Sequence, residues 1–329
     1  ASTPQALRFF SDSFYFVRSQ LVSLCLGLVA LVVCSKIHYR LWQKLSVVFL
    51  MAMVAMLLLV LLPGVGLQSL GARRWIDLGF TTFQPAEFVK LFFAIYVSSL
   101  VGSNKHLLSF IFPMAAVAIL VMLQPDMGTT LVIMGIGLSA IFINGFGLLK
   151  LAVLSLTMAA GGLVLVLTSG YRKARLMSFL NTSQDPLTSS YHVKQILLGL
   201  GLGGLFGSGL GQSRQKFLFL PESATDSVFV VIAEELGFIG ASVVILLLGL
   251  LVYRIFKVAL RTSDRFASAL VTCIGVWLGL QTFLNIGSMV VLVPLTGIPL
   301  PFFSYGGTSL IAILASLGIV LNVSKERQK

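Results

Sequence analysis

Residues 45–62 read Leu-Ser-Val-Val-Phe-Leu-Met-Ala-Met-Val-Ala-Met-Leu-Leu-Leu-Val-Leu-Leu, and Pro63-Gly64 ends the run. Ser46 is the sole polar residue in this stretch, and no charge interrupts it. A helix needs about 20 mostly apolar residues to cross the hydrocarbon core of a bilayer, and this run is close to that length. In water it would have no face to present to solvent. Comparable stretches lie near 20–35, 86–101, 107–124, 126–143, 150–169, 227–253, 266–286 and 307–323, which makes nine with the first. The expected fold is an all-α polytopic membrane bundle, a single integral membrane domain over residues 1–329.

Composition agrees. Of 329 residues 57% are hydrophobic and 10% charged, whereas soluble domains carry about 25% charged residues. A soluble enzyme, a disordered chain and a disulfide-stapled secreted domain are all excluded. The net charge of +12 suits anionic lipid or phosphate-bearing partners, and the hydrophobicity speaks against nucleic acid. Cys25, Cys34 and Cys273 form no CxxC pair, and His38, His106 and His192 lack ligand spacing, so no His or Cys metal site is expected.

The loops between spans alternate in character. Lys36 to Lys44, Lys105, Lys150, Arg254 to Arg265 and the tail Lys325 to Lys329 are short and basic, hence cytoplasmic by the positive-inside rule. Pro63 to Pro85, Gly170 to Asp226 and Asn285 to Gly306 form the opposite set; they are long and rich in Trp, Pro, Gly and charge, where function concentrates. The largest, about 170–226, carries Arg172, Lys173, Arg175, Lys194, Arg214 and Lys216 against Asp185, Glu222 and Asp226. An anionic substrate and anionic headgroups would both account for that excess.

Ionisable residues at membrane depth mark function by default. Glu87 and Lys90 stand three apart after Pro85, on one helical face and able to pair. Asp126 and Asp226 each open a span and fit an N-cap equally well. Glu234 and Glu235 follow two turns beyond Asp226. Neighbours on a helix point about 100° apart, so only one of them is expected to reach a given partner. Gly199, Gly201 and Gly204 match G-x-G-x-x-G by letter, but no strand precedes them. Close packing or a bent loop is the expected use.

Six motifs then appear in order: Gly71-Ala72-Arg73-Arg74-Trp75-Ile76; Gln84-Pro85-Ala86-Glu87 with Lys90; Gln124-Pro125-Asp126-Met127-Gly128-Thr129; Leu220-Pro221-Glu222 with Thr225-Asp226; Glu234-Glu235-Leu236-Gly237; and Pro294-Leu295-Thr296-Gly297-Ile298-Pro299-Leu300-Pro301-Phe302-Phe303-Ser304-Tyr305-Gly306-Gly307-Thr308-Ser309. Together they strongly resemble the SEDS family (shape, elongation, division and sporulation) of bacterial peptidoglycan polymerases. Arg73-Arg74-Trp75, Ile232-Ala233-Glu234-Glu235 and Pro294-Leu295-Thr296-Gly297 look more like its division (FtsW-like) branch than its elongation branch. Members have ten transmembrane helices. Nine spans and a start at Ala1 lead to the expectation that the first helix is missing from this sequence, with residue 1 outside.

The resemblance implies a glycosyltransferase of the bacterial cytoplasmic (inner) membrane, acting at its outer face on lipid II. The aspartate after Leu-Pro-Glu, essential in the family, is Asp226 here. Arg74 and Trp75 match the first outer-loop motif, Glu87 and Lys90 a polar pair near the aspartate, and Asp126, Glu222 and Ser304 fall in motifs with supporting roles. Some division-type members carry an acid eight residues before the aspartate; this chain has Leu218 there, which puts any auxiliary acid or metal role in doubt. No cofactor is certain, and a divalent cation such as magnesium is the one considered.

The chemistry would use Asp226 as base towards a sugar hydroxyl, with Arg74, Lys90, Arg214 and Lys216 available to the leaving pyrophosphate. Lys90 is expected to be held by Glu87, Asp226 or both. The implied partner is a cognate class B penicillin-binding protein, alongside other divisome or elongasome membrane proteins. Its single helix is expected to dock on small residues, for which Leu236 to Ser242 and Gly275 with Gly279 offer faces, though packing inside the bundle accounts for any one of these glycines equally well. A flippase for the lipid-linked precursor and a scaffold for a transpeptidase are the alternatives. The enzyme is favoured because acids and bases gather at one membrane face.

Overall fold

The computed structural model describes residues 14–69, 72–77, 82–103, 105–168, 170, 173, 176–177, 179, 190–217 and 220–326. Leu218, Gly71, Arg172, Arg175 and Asp185, named above, lie outside the described residues. The nine expected spans are all helices: α1 (Tyr15–Lys36), α3 (Ser46–Leu61), α4 (Pro85–Gly102), α5 (Leu107–Leu123), α6 (Met127–Ile143), α7 (Leu148–Thr168), α9 (Val228–Arg261), α10 (Arg265–Met289) and α11 (Gly307–Glu326). Six of these, α1, α4, α7, α9, α10 and α11, are long and apolar enough to cross a bilayer; α3, α5 and α6 are shorter apolar helices. The chain is a multi-pass membrane protein. No residue of α7 is fully buried, and much of its apolar surface is exposed.

Three expectations about the connections are corrected. The loop Lys36 to Lys44 contains a short helix, α2 (Tyr39–Lys44), started by His38, whose ring accepts from the Arg40 amide. The loop Pro63 to Pro85 carries an antiparallel sheet in the order β1 (Gly66–Ser69), β2 (Ala72–Asp77), β3 (Thr82–Phe83). Leu67 pairs Trp75, Gln68 pairs Arg73 and Ile76 pairs Phe83. The loop Gly170 to Asp226 is not all loop either, for α8 (Ser190–Gly203) runs through it. These elements escape a search for long apolar runs because two are short and polar and the third is amphipathic.

By packing, the chain divides into two units, each taken here by itself. One comprises Ala1–Arg18, Ala152–Gly249 and Gln281–Tyr305; the other comprises Ser19–Leu151, Leu250–Leu280 and Gly306–Lys329. The second is organised around α4, where Val89, Phe93, Ala94, Val97 and Val101 are buried against α3 and α6. In this unit Gly275 faces Ile255 and Phe256, and Gly279 faces Val252. Of the two uses expected of these glycines, packing against α9 within the unit is the one these contacts show.

The first unit has its own core, with Ile196 of α8, Leu220, Phe229 and Val230 of α9, Met289 and Leu300. Its longest helix is not continuous. Residue 237 of the 34-residue α9 has φ 71 and ψ −173, which breaks the helical ladder. The segment after α8 fills the break: Ser208 and Gly209 amides donate to Glu234 and Glu235 carbonyls (2.9 and 3.1 Å), and Phe238 and Ile239 amides donate to Gly204 and Leu205 carbonyls (2.9 and 3.2 Å). In lipid such freed groups have no water to turn to and must be satisfied by protein. The crossing demands glycine at both contacts, since a Cβ on Gly207 or Gly237 would press into the other strand's backbone. Leu236 to Ser242 is thus the site of a helix break.

Candidate active site

Asp226 sits in a tight turn just before α9, half-buried. Thr225 and Ser227 amides both donate to the Glu222 carbonyl (3.1 and 3.0 Å), and the Thr225 hydroxyl donates to the Glu222 carboxylate at 2.7 Å. Glu222 therefore shapes the turn. Three successive carbonyls of the turn are then gripped from the segment that ends at Tyr305. Ala224 accepts from the Tyr305 amide (2.9 Å), Thr225 from the Ser304 hydroxyl (2.5 Å), and Asp226 from the Asn285 side-chain amide (2.8 Å). The Ser304 hydroxyl in turn accepts from the Leu300 amide at 2.7 Å. Asn285 also donates to Ile298 (2.7 Å) and Gln281 to Pro299 (3.0 Å). The aspartate main chain is fixed while its carboxylate borders the exposed Gly297, whose φ is +70. On the other side the buried Ser227 hydroxyl lies 3.1 Å from the His192 ring of α8.

The basic loop that precedes this turn is anchored by the two glutamates of α9. Glu234 accepts from the Ser213 hydroxyl (2.5 Å) and from the amides of Arg214 (2.8 Å) and Gln215 (3.4 Å). Glu235 accepts from Lys216 at 2.9 Å and from the Ser213 amide at 3.4 Å. Both acids thus reach Ser213, contrary to the expectation that only one could serve a given partner; the loop lies across both side chains. Lys216 also donates to the Gly211 carbonyl and is buried. Its charge is matched by Glu235. Arg214, by contrast, is exposed, and no carboxylate among the described residues pairs with it.

The second unit holds the other candidates. Arg74 of β2 donates through Nε to the Gln124 carbonyl at 2.9 Å and through Nη2 to Pro125. It clamps the α5–α6 hairpin, and the Gln124 side chain ties that hairpin to Leu57 at 3.1 Å. Asp126 is the N-cap of α6, accepting from the Thr129 amide and hydroxyl, both at 2.9 Å. The N-cap reading of Asp126 describes it fully. Trp75 pairs Leu67 across the sheet. Lys90 and Glu87 are ion-paired at 2.8 Å, each 1% exposed, and the Lys90 ammonium stands 5.3 Å from the Trp277 ring centre. The expected partnership of Lys90 with Glu87 is present.

Asn285 and Gln281 are absent from the site residues singled out by sequence, and Gly297 appears there only as part of a motif, with no role. Gln281 and Asn285 stand four apart within an apolar span, and that spacing places two amides on one helical face. Asn285 also opens the loop Asn285 to Gly306, where an amide needs no buried partner, and this hides the signal. α10 runs on to Met289.

A helical chain with several lipid-length spans is a polytopic membrane protein, and here it also carries a clamped acidic turn at Asp226. A family model described as a cell cycle protein, FTSW_RODA_SPOVE, matches residues 1–329. The chain belongs to this family, the one its motifs resemble. It is 39% identical over 324 residues to stage V sporulation protein E of Bacillus subtilis, covering 96% of this chain and 88% of that one. It is 40% identical over 327 residues to a "Probable peptidoglycan glycosyltransferase FtsW" of Methylococcus capsulatus, covering 96% and 82%. Among solved structures, it superposes with a TM-score of 0.80 at 28% identity, over 99% and 94% of the two chains, on a chain from "Structural coordination of polymerization and crosslinking by a peptidoglycan synthase complex". On the rod shape determining protein RodA of Thermus thermophilus the TM-score is 0.70 at 30% identity, over 95% and 89%.

Proposed function

We propose that this chain is a peptidoglycan glycosyltransferase that polymerises lipid II at the outer face of the bacterial cytoplasmic membrane, in division-type wall synthesis. The observation that carries the reading is the grip on the Ala224, Thr225 and Asp226 carbonyls, which fixes a carboxylate beside open space. Fixed position is what a general base needs, and such a base contributes about 10²–10⁴-fold. In the reaction Asp226 takes the proton of the acceptor sugar's 4-hydroxyl. The hydroxyl oxygen bonds to the donor's anomeric carbon as the bond to the pyrophosphate oxygen breaks, and undecaprenyl pyrophosphate leaves.

Arg214 is the base best placed to meet that pyrophosphate, because its guanidinium is exposed while its backbone is held by Glu234. Lys216 supports it through the Glu235 pair instead of meeting phosphate directly. Arg74, Trp75, Asp126, Glu87 and Lys90 act by holding their own elements in shape. Among the described residues no group of three His, Cys, Asp or Glu side chains is placed to hold a metal ion. Magnesium is usually held by one or two carboxylates, waters and substrate phosphates, so we take a magnesium ion to enter with the pyrophosphate it neutralises.

The name of the superposed complex supports a crosslinking partner, which we take to be a cognate class B penicillin-binding protein with one membrane helix, working beside other divisome or elongasome proteins. The purified protein in detergent, given lipid II, tests the reading. Glycan polymer from the wild type and none from a folded Asp226→Asn variant is the expected result. Lipid movement across vesicles without polymer would transfer the case to a flippase, and neither activity with intact partner binding would transfer it to a scaffold.

A further inference from the structure

Gly297 lies in the segment that grips the Asp226 turn, and it is exposed with φ +70. A Cβ built there meets one atom within 4 Å among the described residues, the Oδ2 oxygen of Asp226, at 3.4 Å. Among the described residues the space that a side chain would fill is thus bordered by the carboxylate, at an exposed position. Its position is not accidental to the clamp. Asn285 holds the carbonyls of Asp226 and of Ile298, the residue after Gly297, through one amide nitrogen. The glycine and the carboxylate are thereby kept in register by a shared, buried anchor.

We infer that the acceptor hydroxyl reaches Asp226 over Gly297, which makes Gly297 a specificity-determining residue and Asn285 the positioning residue that holds it against the base. A hydroxyl must come within about 2.6–3.2 Å of the carboxylate oxygen to lose its proton. A methyl group already 3.4 Å from that oxygen would occupy the approach. A sugar carries its hydroxyl on a bulky ring, so the vacancy has to admit ring atoms as well as the oxygen. A glycine supplies that room and also accepts the left-handed backbone that the turn requires.

The inference rests on the reading of Asp226 as base, and the test separates the two. Gly297→Ala and Gly297→Asn are compared with Gly145→Ala, a strain control at a hairpin where φ is +89 and nothing lies within 4 Å. Asn tolerates positive φ better than other non-glycine residues, so it serves if the alanine variant does not fold. Polymerisation is measured against lipid II concentration, with thermal unfolding in detergent alongside. A blocked approach lowers kcat on the order of 10²-fold in either Gly297 variant, because misplacement of about 1 Å at a reacting centre is that costly. KM stays within about threefold, since the rest of the substrate is held elsewhere. Gly145→Ala lowers the unfolding midpoint alone. A folded Gly297 variant that keeps wild-type kcat while Asp226→Asn is inactive overturns this inference and spares the function; an active Asp226→Asn overturns the function itself.

Discussion

The side-chain amide of Asn285, in the last turns of α10, donates to the main-chain carbonyl of Asp226 at 2.8 Å. One nitrogen, also bonded to Ile298, joins the candidate base to the segment that faces it. The main chain from which the Asp226 carboxylate projects is thus tied down by a side chain 59 residues further along.

Asn285→Ala removes both bonds and leaves two carbonyls short of a donor. Each such loss costs about 1–3 kcal/mol when the group is buried. Unfolding in detergent should report a loss in that range, and lipid II turnover at saturation should drop further than in an equally destabilised variant remote from Asp226. Equal losses of turnover in the two variants would reduce Asn285 to a packing residue.

Lys90→Met strands the Glu87 carboxylate, which is 1% exposed. Removing one partner of a buried pair costs about 3–5 kcal/mol, most of it the uncompensated charge. Adding Glu87→Gln should recover much of that loss, with a coupling of about 0.5–3 kcal/mol between the two sites. Thermal unfolding of the single and double variants measures it, and strict additivity would show that the pair stores no mutual energy.

Glu234→Ala should free the basic loop without unfolding the helices. Ser213, Arg214 and Gln215 lose their shared acceptor, while the Glu235 pair with Lys216 remains. Trypsin cuts after Arg and Lys, so cleavage at Arg214 and Lys216 is the readout. We expect it to quicken about tenfold, the change produced by about 1.4 kcal/mol of lost loop stability. Glu234→Gln, which keeps an acceptor oxygen, should be cut at an intermediate rate.

Gly275→Leu should impair the fold and not a docking surface. Its Cβ position already stands 3.2 Å from Ile255 and 3.3 Å from Phe256, and overpacking a filled site costs about 1–3 kcal/mol. A lower unfolding midpoint for the isolated protein is the expected outcome. An unchanged midpoint with weakened co-purification of a transpeptidase would return the glycine to the interface.

The helical architecture was legible because membrane spans announce themselves by length and by lack of charge, and every expected span is a helix. Asp226, Glu222 and Ser304 were legible as motif residues, and they do meet in one turn. The β-sheet was not, because Gly66–Ser69 and Thr82–Phe83 are too short to show an alternating pattern. Nor was the occupation of Lys216 and Arg74. Sequence shows a cation's presence, but only the folded backbone shows which carboxylate or carbonyl reaches it first. Asn285 was missed for a simpler reason: it stands where the expected span near 266–286 and the loop from Asn285 overlap, and in a loop an amide needs no buried partner.

The break at Gly237 also has a consequence for how the chain is made. The strand that completes α9, Gly204 to Gly209, precedes the break by about 30 residues. At roughly 5–20 residues per second it leaves the ribosome some 2–6 s before its partners exist. During that interval the Ser208 and Gly209 amides and the Gly204 and Leu205 carbonyls lack the partners they later bond, and the bilayer offers none. We expect this stretch to stay in a wet or interfacial place until Glu234 to Ile239 arrive. The gap in the longest helix is closed by a segment made before the helix itself.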